Sequence, residues 1–176
     1  HNYISPALSR VCWPSLPACD HFLTEKLNLD WNFLRTPREQ FWTIGATGGI
    51  TLKLRPETIM ETLTPSFIGR RQQHMDFSVR TQMQFTPRYA NECAGVVLLQ
   101  NERFQFRLIY SLEEDGVSVL KFIKRENGFD KVLVIIPVTA QTLYLKIEAK
   151  GQAYSFYYAT QVDQWQVVVE DIDGSI

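Results

Sequence analysis

Between residues 75 and 85 every second side chain is of one kind. Met75, Phe77, Val79, Thr81, Met83 and Phe85 share one phase, while Asp76, Ser78, Arg80, Gln82 and Gln84 share the other. Successive side chains of an extended chain point to opposite faces, so this stretch reads as a strand with one buried and one wet side. A helix would scatter the same apolar set around its axis. The period-2 pattern returns at 49–55, 104–112 and 142–150, and shorter apolar runs at 94–100, 117–124, 131–136, 153–160 and 165–169 fill the rest. Turn signals separate them: Glu113-Glu114-Asp115-Gly116, Glu126-Asn127-Gly128 and Lys150-Gly151-Gln152. The sum is nine or ten strands with no long helix. Val, Ile, Thr and the aromatic residues make up 60 of the 176 residues, against 9 Ala, which suits pleated sheets. The expectation is an all-β jelly-roll sandwich of two antiparallel sheets.

Charge and apolar content narrow the classes of function. Eighteen basic and 19 acidic residues leave a net charge of −1, without the basic footprint of a nucleic-acid binder. No apolar run approaches the roughly 20 residues of a membrane-spanning helix, so neither nucleic acid nor membrane is expected as a partner. Residues 1–19, with Pro6, Pro14 and Pro17, read as an irregular lead-in from an upstream domain, in which Trp13 and Leu16 could dock on the sandwich. Cys12, Cys19 and Cys93 are too few for a disulfide framework, although Cys12 and Cys19 could close a short loop.

No constellation of catalytic groups stands out, and none of the nucleophile-elbow, P-loop or dinucleotide signatures is present. His1, His21 and His74 are scattered, which leaves no zinc spacing. Glu170, Asp171 and Asp173 offer oxygen donors for a structural calcium but lack EF-hand spacing, so no cofactor is assigned. The densest polar string is Gly69-Arg70-Arg71-Gln72-Gln73-His74. Extending the phase of the 75–85 strand backward puts Arg71 and Gln73 toward the core, and Arg70, Gln72 and His74 on the other side. Buried polar groups of that size need partners, so Arg71 is expected to be buried and hydrogen-bonded unless a bulge shifts the phase. This end of the strand would then stitch a loop, contact another domain or face a sugar. Tyr144 and Tyr157 lie out of phase with the apolar sets of their strands, which marks them as outward aromatic candidates for carbohydrate or domain contact.

Three stretches carry a family resemblance. Asp20-His21-Phe22 followed by Leu27 to Pro37 (LNLDWNFLRTP), Gly49-Ile50-Thr51-Leu52-Lys53-Leu54, and Ser66 to Phe77 (SFIGRRQQHMDF) resemble the C-terminal β-sandwich module of family 43 glycoside hydrolases of the β-xylosidase type. Ala94 to Val97 and Tyr154 to Trp165 are similar to its later strands, so the resemblance spans residues 20–176. It implies a concanavalin A-like jelly roll placed after a five-bladed catalytic propeller, packing on it and shaping the substrate pocket in xylan degradation. It also implies that family members continue past the position of Ile176 into a closing strand and a loop that reaches toward the active site. No catalytic residue is carried over, because in the family these lie in the propeller. The partners it implies are that propeller and, through it, a xylo-oligosaccharide, with the compartment left open between cytoplasm and export. The alternative is an independent carbohydrate-binding module of the same fold.

Overall fold

The computed structural model describes residues 19–175. The expected lead-in, the docking of Trp13 and Leu16 and the Cys12–Cys19 pairing lie outside the described residues, apart from residue 19 itself. Ten strands follow in order: β1 (Trp42–Ile44), β2 (Ile50–Leu52), β3 (Phe77–Gln84), β4 (Cys93–Asn101), β5 (Phe104–Leu112), β6 (Ser118–Glu126), β7 (Phe129–Pro137), β8 (Thr142–Lys150), β9 (Ala153–Ala159) and β10 (Gln166–Asp173). There is no helix among the described residues. β1 and β2 form a small hairpin, and the other eight strands make two four-stranded antiparallel sheets, ordered β10-β9-β8-β3 and β4-β5-β6-β7. The all-β two-sheet expectation holds.

The sheets are built mostly from neighbours in sequence, because the turns between them have the right chemistry. Between β6 and β7, Asn127 and Gly128 have φ of 55° and 88°. Two consecutive left-handed residues form the tight turn whose twist matches the flanking strands, and Asn-Gly is the pair that tolerates it best. Three steps break the pattern, at β2 to β3, β3 to β4 and β7 to β8, where the chain changes sheet. β3 does not pair with β4 but lies along β8, with Phe77 opposite Ala149 and Gln84 opposite Thr142.

Alternation along each strand delivers the core. Phe106, Leu108, Tyr110, Leu120 and Phe122 from one sheet meet Leu143, Leu145, Ile147, Phe156 and Tyr158 from the other. Burial of each such side chain stabilises by about 1.5–3 kcal/mol. The buried Tyr110 hydroxyl donates to the Val138 carbonyl at 3.2 Å and accepts from the Ala140 N–H at 3.3 Å. It thereby satisfies its own polar tip and fixes the crossing from β7 to β8.

The solvent side of β4-β5-β6-β7 is covered in part by irregular chain. Gln105 and Arg107, on the outer phase of β5, are buried because the 55–66 stretch lies across them. Gln105 Nε2 donates to the Ile59 carbonyl at 3.2 Å, and Arg107 pairs with Asp130 at 2.5 Å. Arg35 reaches the Leu63 carbonyl at 2.6 Å and bonds Glu102. Arg55 stacks on Phe41 at 4.7 Å and bonds the Thr64 carbonyl, and Phe41 packs with Phe33 and Trp42 in a satellite cluster. Each of β3, β4, β7 and β10 is paired on one side only among the described residues. Val79, opposite core residue Ile147, is 50% exposed, so the sandwich gapes at the β3 edge.

Candidate functional site

The polar string at 69–74 does not continue the strand. β3 begins at Phe77 rather than Met75, and Gly69 instead bridges to Asn32, each donating its N–H to the other's carbonyl at 2.9 and 2.8 Å. That bridge resets the phase. Arg71, expected in the core, is exposed, as are Gln72, Gln73 and His74. The buried-cluster expectation is therefore wrong. The alternation was extrapolated through residues that are not strand.

What the bridge does instead is zip the 20–37 and 66–77 stretches together. Arg70 Nη2 pairs with Asp30 at 2.7 Å, and its guanidinium lies 5.5 Å from the Trp31 ring centre. The Trp31 indole N–H donates to Asp20 at 2.7 Å, and the Phe22 N–H donates to the other Asp20 oxygen at 2.8 Å. The Trp31 bond, with help from Phe22 and from the charge of Arg70, outweighs desolvation and holds the Asp20 carboxyl below the ordinary carboxylate range. Arg70 is thus consumed internally. Gln72 is half consumed, donating to the His74 carbonyl at 2.9 Å and accepting from the Tyr154 hydroxyl at 3.4 Å. The side chains of Arg71, Gln73 and His74 make no hydrogen bond or ion pair among the described residues. Beside them Met75 is 65% exposed.

The second pair of candidates lies on the solvent side of β10-β9-β8-β3. Tyr144 and Tyr157 both point outward and are half-buried. Tyr157 sits beside Lys146, whose Nζ is 4.1 Å from the tyrosine ring centre and 4.9 Å from that of Trp165. Lys146 also bonds Glu148 at 2.9 Å, and the Tyr157 hydroxyl donates to Glu170 at 3.4 Å. Partial desolvation, with the charges of Glu148 and Glu170, raises the Tyr157 phenol above its ordinary value. Sequence reasoning weighed Glu170 only as an oxygen donor for calcium and passed over Lys146; the alternation of Lys146 with Tyr144 and Glu148 along one face of β8 was the available signal.

The two candidate regions meet the same sheet at different places. Asp76 accepts the Gly151 N–H at 2.8 Å, which brings the 70–76 segment to the β8–β9 turn. Tyr144 lies six positions back along β8 from Lys150, about 20 Å away at strand rise. Among the described residues no three His, Cys, Asp or Glu side chains are arranged to hold a metal ion. Asp173, a calcium candidate, accepts from Ser175 instead, at 2.9 Å from its N–H and 2.6 Å from its hydroxyl.

A two-sheet antiparallel sandwich with irregular chain across one face is the architecture of a concanavalin A-like domain, and comparison makes the assignment specific. Residues 19–176 match the model of the β-xylosidase C-terminal concanavalin A-like domain, and the chain belongs to that family. It is 31% identical over 159 residues to the non-reducing end α-L-arabinofuranosidase BoGH43B of Bacteroides ovatus, a match covering 88% of this chain and 30% of that protein. It is 24% identical over 159 residues to a β-xylosidase of Bacillus subtilis, covering 86% and 30%. In structure it is similar to the GH43 protein BlXynB from Bacillus licheniformis, with a TM-score of 0.86 at 25% identity over 97% of this chain and 33% of that one. The chain spans about 30% of the length of the curated relatives it matches. It is a C-terminal module of the kind found in family 43 xylosidases and arabinosidases.

Proposed function

We propose that this chain works as the accessory sandwich of a β-xylosidase or α-arabinofuranosidase, docking on a five-bladed catalytic propeller of the same polypeptide and shaping the rim of its substrate pocket. Hydrolysis of xylan-derived oligosaccharides would be carried out by the propeller, and no catalytic group is assigned to these residues. The observation that carries this reading is the division of labour within one motif. Arg70 and Gly69 tie two segments together through Asp30, Trp31 and Asn32, whereas Arg71, Gln73 and His74 are exposed beside Met75 with their side-chain donors and acceptors unused among the described residues. An exposed guanidinium, an amide and an imidazole next to an exposed thioether have the mix of a docking surface: apolar area to bury, and directional polar groups to set register.

The test is made on the full-length polypeptide. Arg71→Ala combined with Gln73→Ala should lower kcat/KM on aryl xyloside or aryl arabinofuranoside and split thermal unfolding into two steps. Unchanged kinetics with a single transition at the original temperature would sink the docking reading. Absence of both hydrolytic activities from the unmodified polypeptide would sink the enzyme assignment itself.

A further inference from the structure

Away from the 66–77 segment, the solvent side of β10-β9-β8-β3 carries chemistry that docking at Arg71 does not use. Directly opposed residues form one row across all four strands: Arg80, Lys146, Tyr157 and Val167. Lys146 is held between the rings of Tyr157 and Trp165 and against Glu148, so each of these side chains is fixed before any ligand arrives. Beyond Tyr157 the surface sinks into a depression of about 180 Å³. Its lining includes Tyr157, Ser155, Glu148, Glu170 and Asp171, but neither Lys146 nor Trp165. The clamp therefore holds the tyrosine from outside the hollow and leaves part of it turned toward the opening.

The wall supplied by β10 is irregular in a way that serves the hollow. The register of β10 against β9 slips between Val167 and Val169 and again between Val169 and Ile172. Within the second slip Asp171 has φ of 49°, in the left-handed region that non-glycine residues seldom occupy. In a regular strand Glu170 and Asp171 would point to opposite faces; here both line the same depression. The Asp171 N–H is held by Ser155 Oγ at 3.0 Å, and Glu170 by the Tyr157 hydroxyl.

We infer that this hollow binds one sugar residue of a polysaccharide chain lying across the sheet, giving the module a carbohydrate-holding surface of its own, distinct from the docking segment at Arg71. A tyrosine edge and face offer an apolar wall to the C–H side of a sugar ring, and the flanking carboxylates accept hydrogen bonds from its hydroxyls. The charge at the site is mixed, with Glu148, Glu170 and Asp171 beside Lys146 and Lys150, which suits a neutral polyhydroxyl ligand better than an ion. Tyr144, two residues from Lys146 on the same face of β8, places a further ring about 7 Å along the strand for a neighbouring sugar. The carbohydrate class rests on the proposed function; the geometry of the hollow does not.

The experiment is affinity electrophoresis of the full-length polypeptide through gels containing arabinoxylan, xyloglucan or mixed-linkage β-glucan, against a gel with no polysaccharide. At least one polysaccharide should slow the protein. Tyr157→Ala should weaken that binding about tenfold, the effect of removing one stacked ring, while Tyr157→Phe keeps most of it. Glu170→Gln, an exposed change, should weaken it several-fold and serves if Tyr157→Ala fails to fold. No retardation in any gel, or retardation undiminished by Tyr157→Ala and Glu170→Gln, overturns the inference. Aryl-glycoside hydrolysis measured on the same preparations separates the two readings. Hydrolysis without retardation removes the hollow alone, and Tyr157-dependent retardation without hydrolysis removes the enzyme assignment alone.

Discussion

Replacing Phe156 by alanine strikes the contact that joins the two sheets. Phe156 is fully buried on β9, and its ring centre lies 4.7 Å from that of Phe122 on β6, tilted by 51°, with Phe106 a further 6.4 Å contact. No irregular chain lies between the sheets here to collapse into the space left by the ring. The cost should therefore fall at about 3–5 kcal/mol, transfer and cavity terms together. Against a total of about 5–15 kcal/mol for a domain, that is a large share. At about 2–4 °C per kcal/mol it lowers the melting temperature by roughly 6–20 °C. Urea unfolding followed by circular dichroism reads the loss directly, with an unchanged slope expected because the exposed surface is the same. Phe122→Ala alone and the double variant complete a cycle, in which the tilted pair should couple by about 0.5–1.5 kcal/mol. A Phe156→Ala loss below about 1 kcal/mol, or single costs that simply add, would refute the claim that this ring pair is the centre of the core.

Three further outcomes follow from other parts of the fold. Gly95→Ala should destabilise by about 1–3 kcal/mol or block folding, because a Cβ there would meet the Leu108 carbonyl oxygen at 2.0 Å and the Ile109 Cα at 2.8 Å; a melting temperature within a degree of the parent would contradict this. Asp20 has its carboxyl pKa depressed in the fold, so its stabilisation is complete above the unfolded value near 3.8 and is lost as pH falls through the lower folded value. Melting curves of Asp20→Asn and the parent should therefore differ at neutral pH and converge below about pH 3.8, and a gap that widens in acid would reverse the sign of the argument. Arg70→Ala should cost the chain about 0.5–1.5 kcal/mol through Asp30 and Trp31, whereas Arg71→Ala should change its stability by no more than about 0.5 kcal/mol. Equal losses in the two variants, read by denaturant titration, would show that Arg71 has a partner after all.

Much of the fold was legible because a half-buried strand has no alternative to period 2. The 104–112 and 142–150 patterns coincide with β5 and β8, and Asn127-Gly128 marked its turn by chemistry alone. β1 was missed: Trp42 to Ile44 is too short for a period to show, and its pairing is set by the Phe33–Phe41–Trp42 cluster. Arg71 was misplaced because a single residue pair, Asn32 with Gly69, decides where the 66–77 segment turns, and a contact across 37 positions leaves no trace in local pattern. β10 runs to Asp173, beyond the expected 165–169, because its bulges break the alternation that would have revealed it. The hollow beside Tyr157 was hidden for the same reason. Tyr157 could be read as outward, but the turn of Asp171 toward it depends on a backbone irregularity that sequence spacing does not encode.

The irregular chain laid over the solvent side of β4-β5-β6-β7, a strap anchored through Arg35 and the Ile59 carbonyl, also sets a timetable for the chain's own synthesis. β4 to β7 form a meander of adjacent hairpins, whose pairings close as fast as each strand is added. The strap is made earlier and has nothing to lie on. Arg35 must wait 67 residues for Glu102, and the Ile59 carbonyl 46 residues for Gln105. At about 5–20 residues per second the first of these delays is roughly 3–13 s. For that interval Phe33, Phe41 and Trp42 have only one another and Arg55 to pack on, within reach of ribosome-bound chaperones and of neighbouring nascent chains. The strap is thus made before the meander and placed after it.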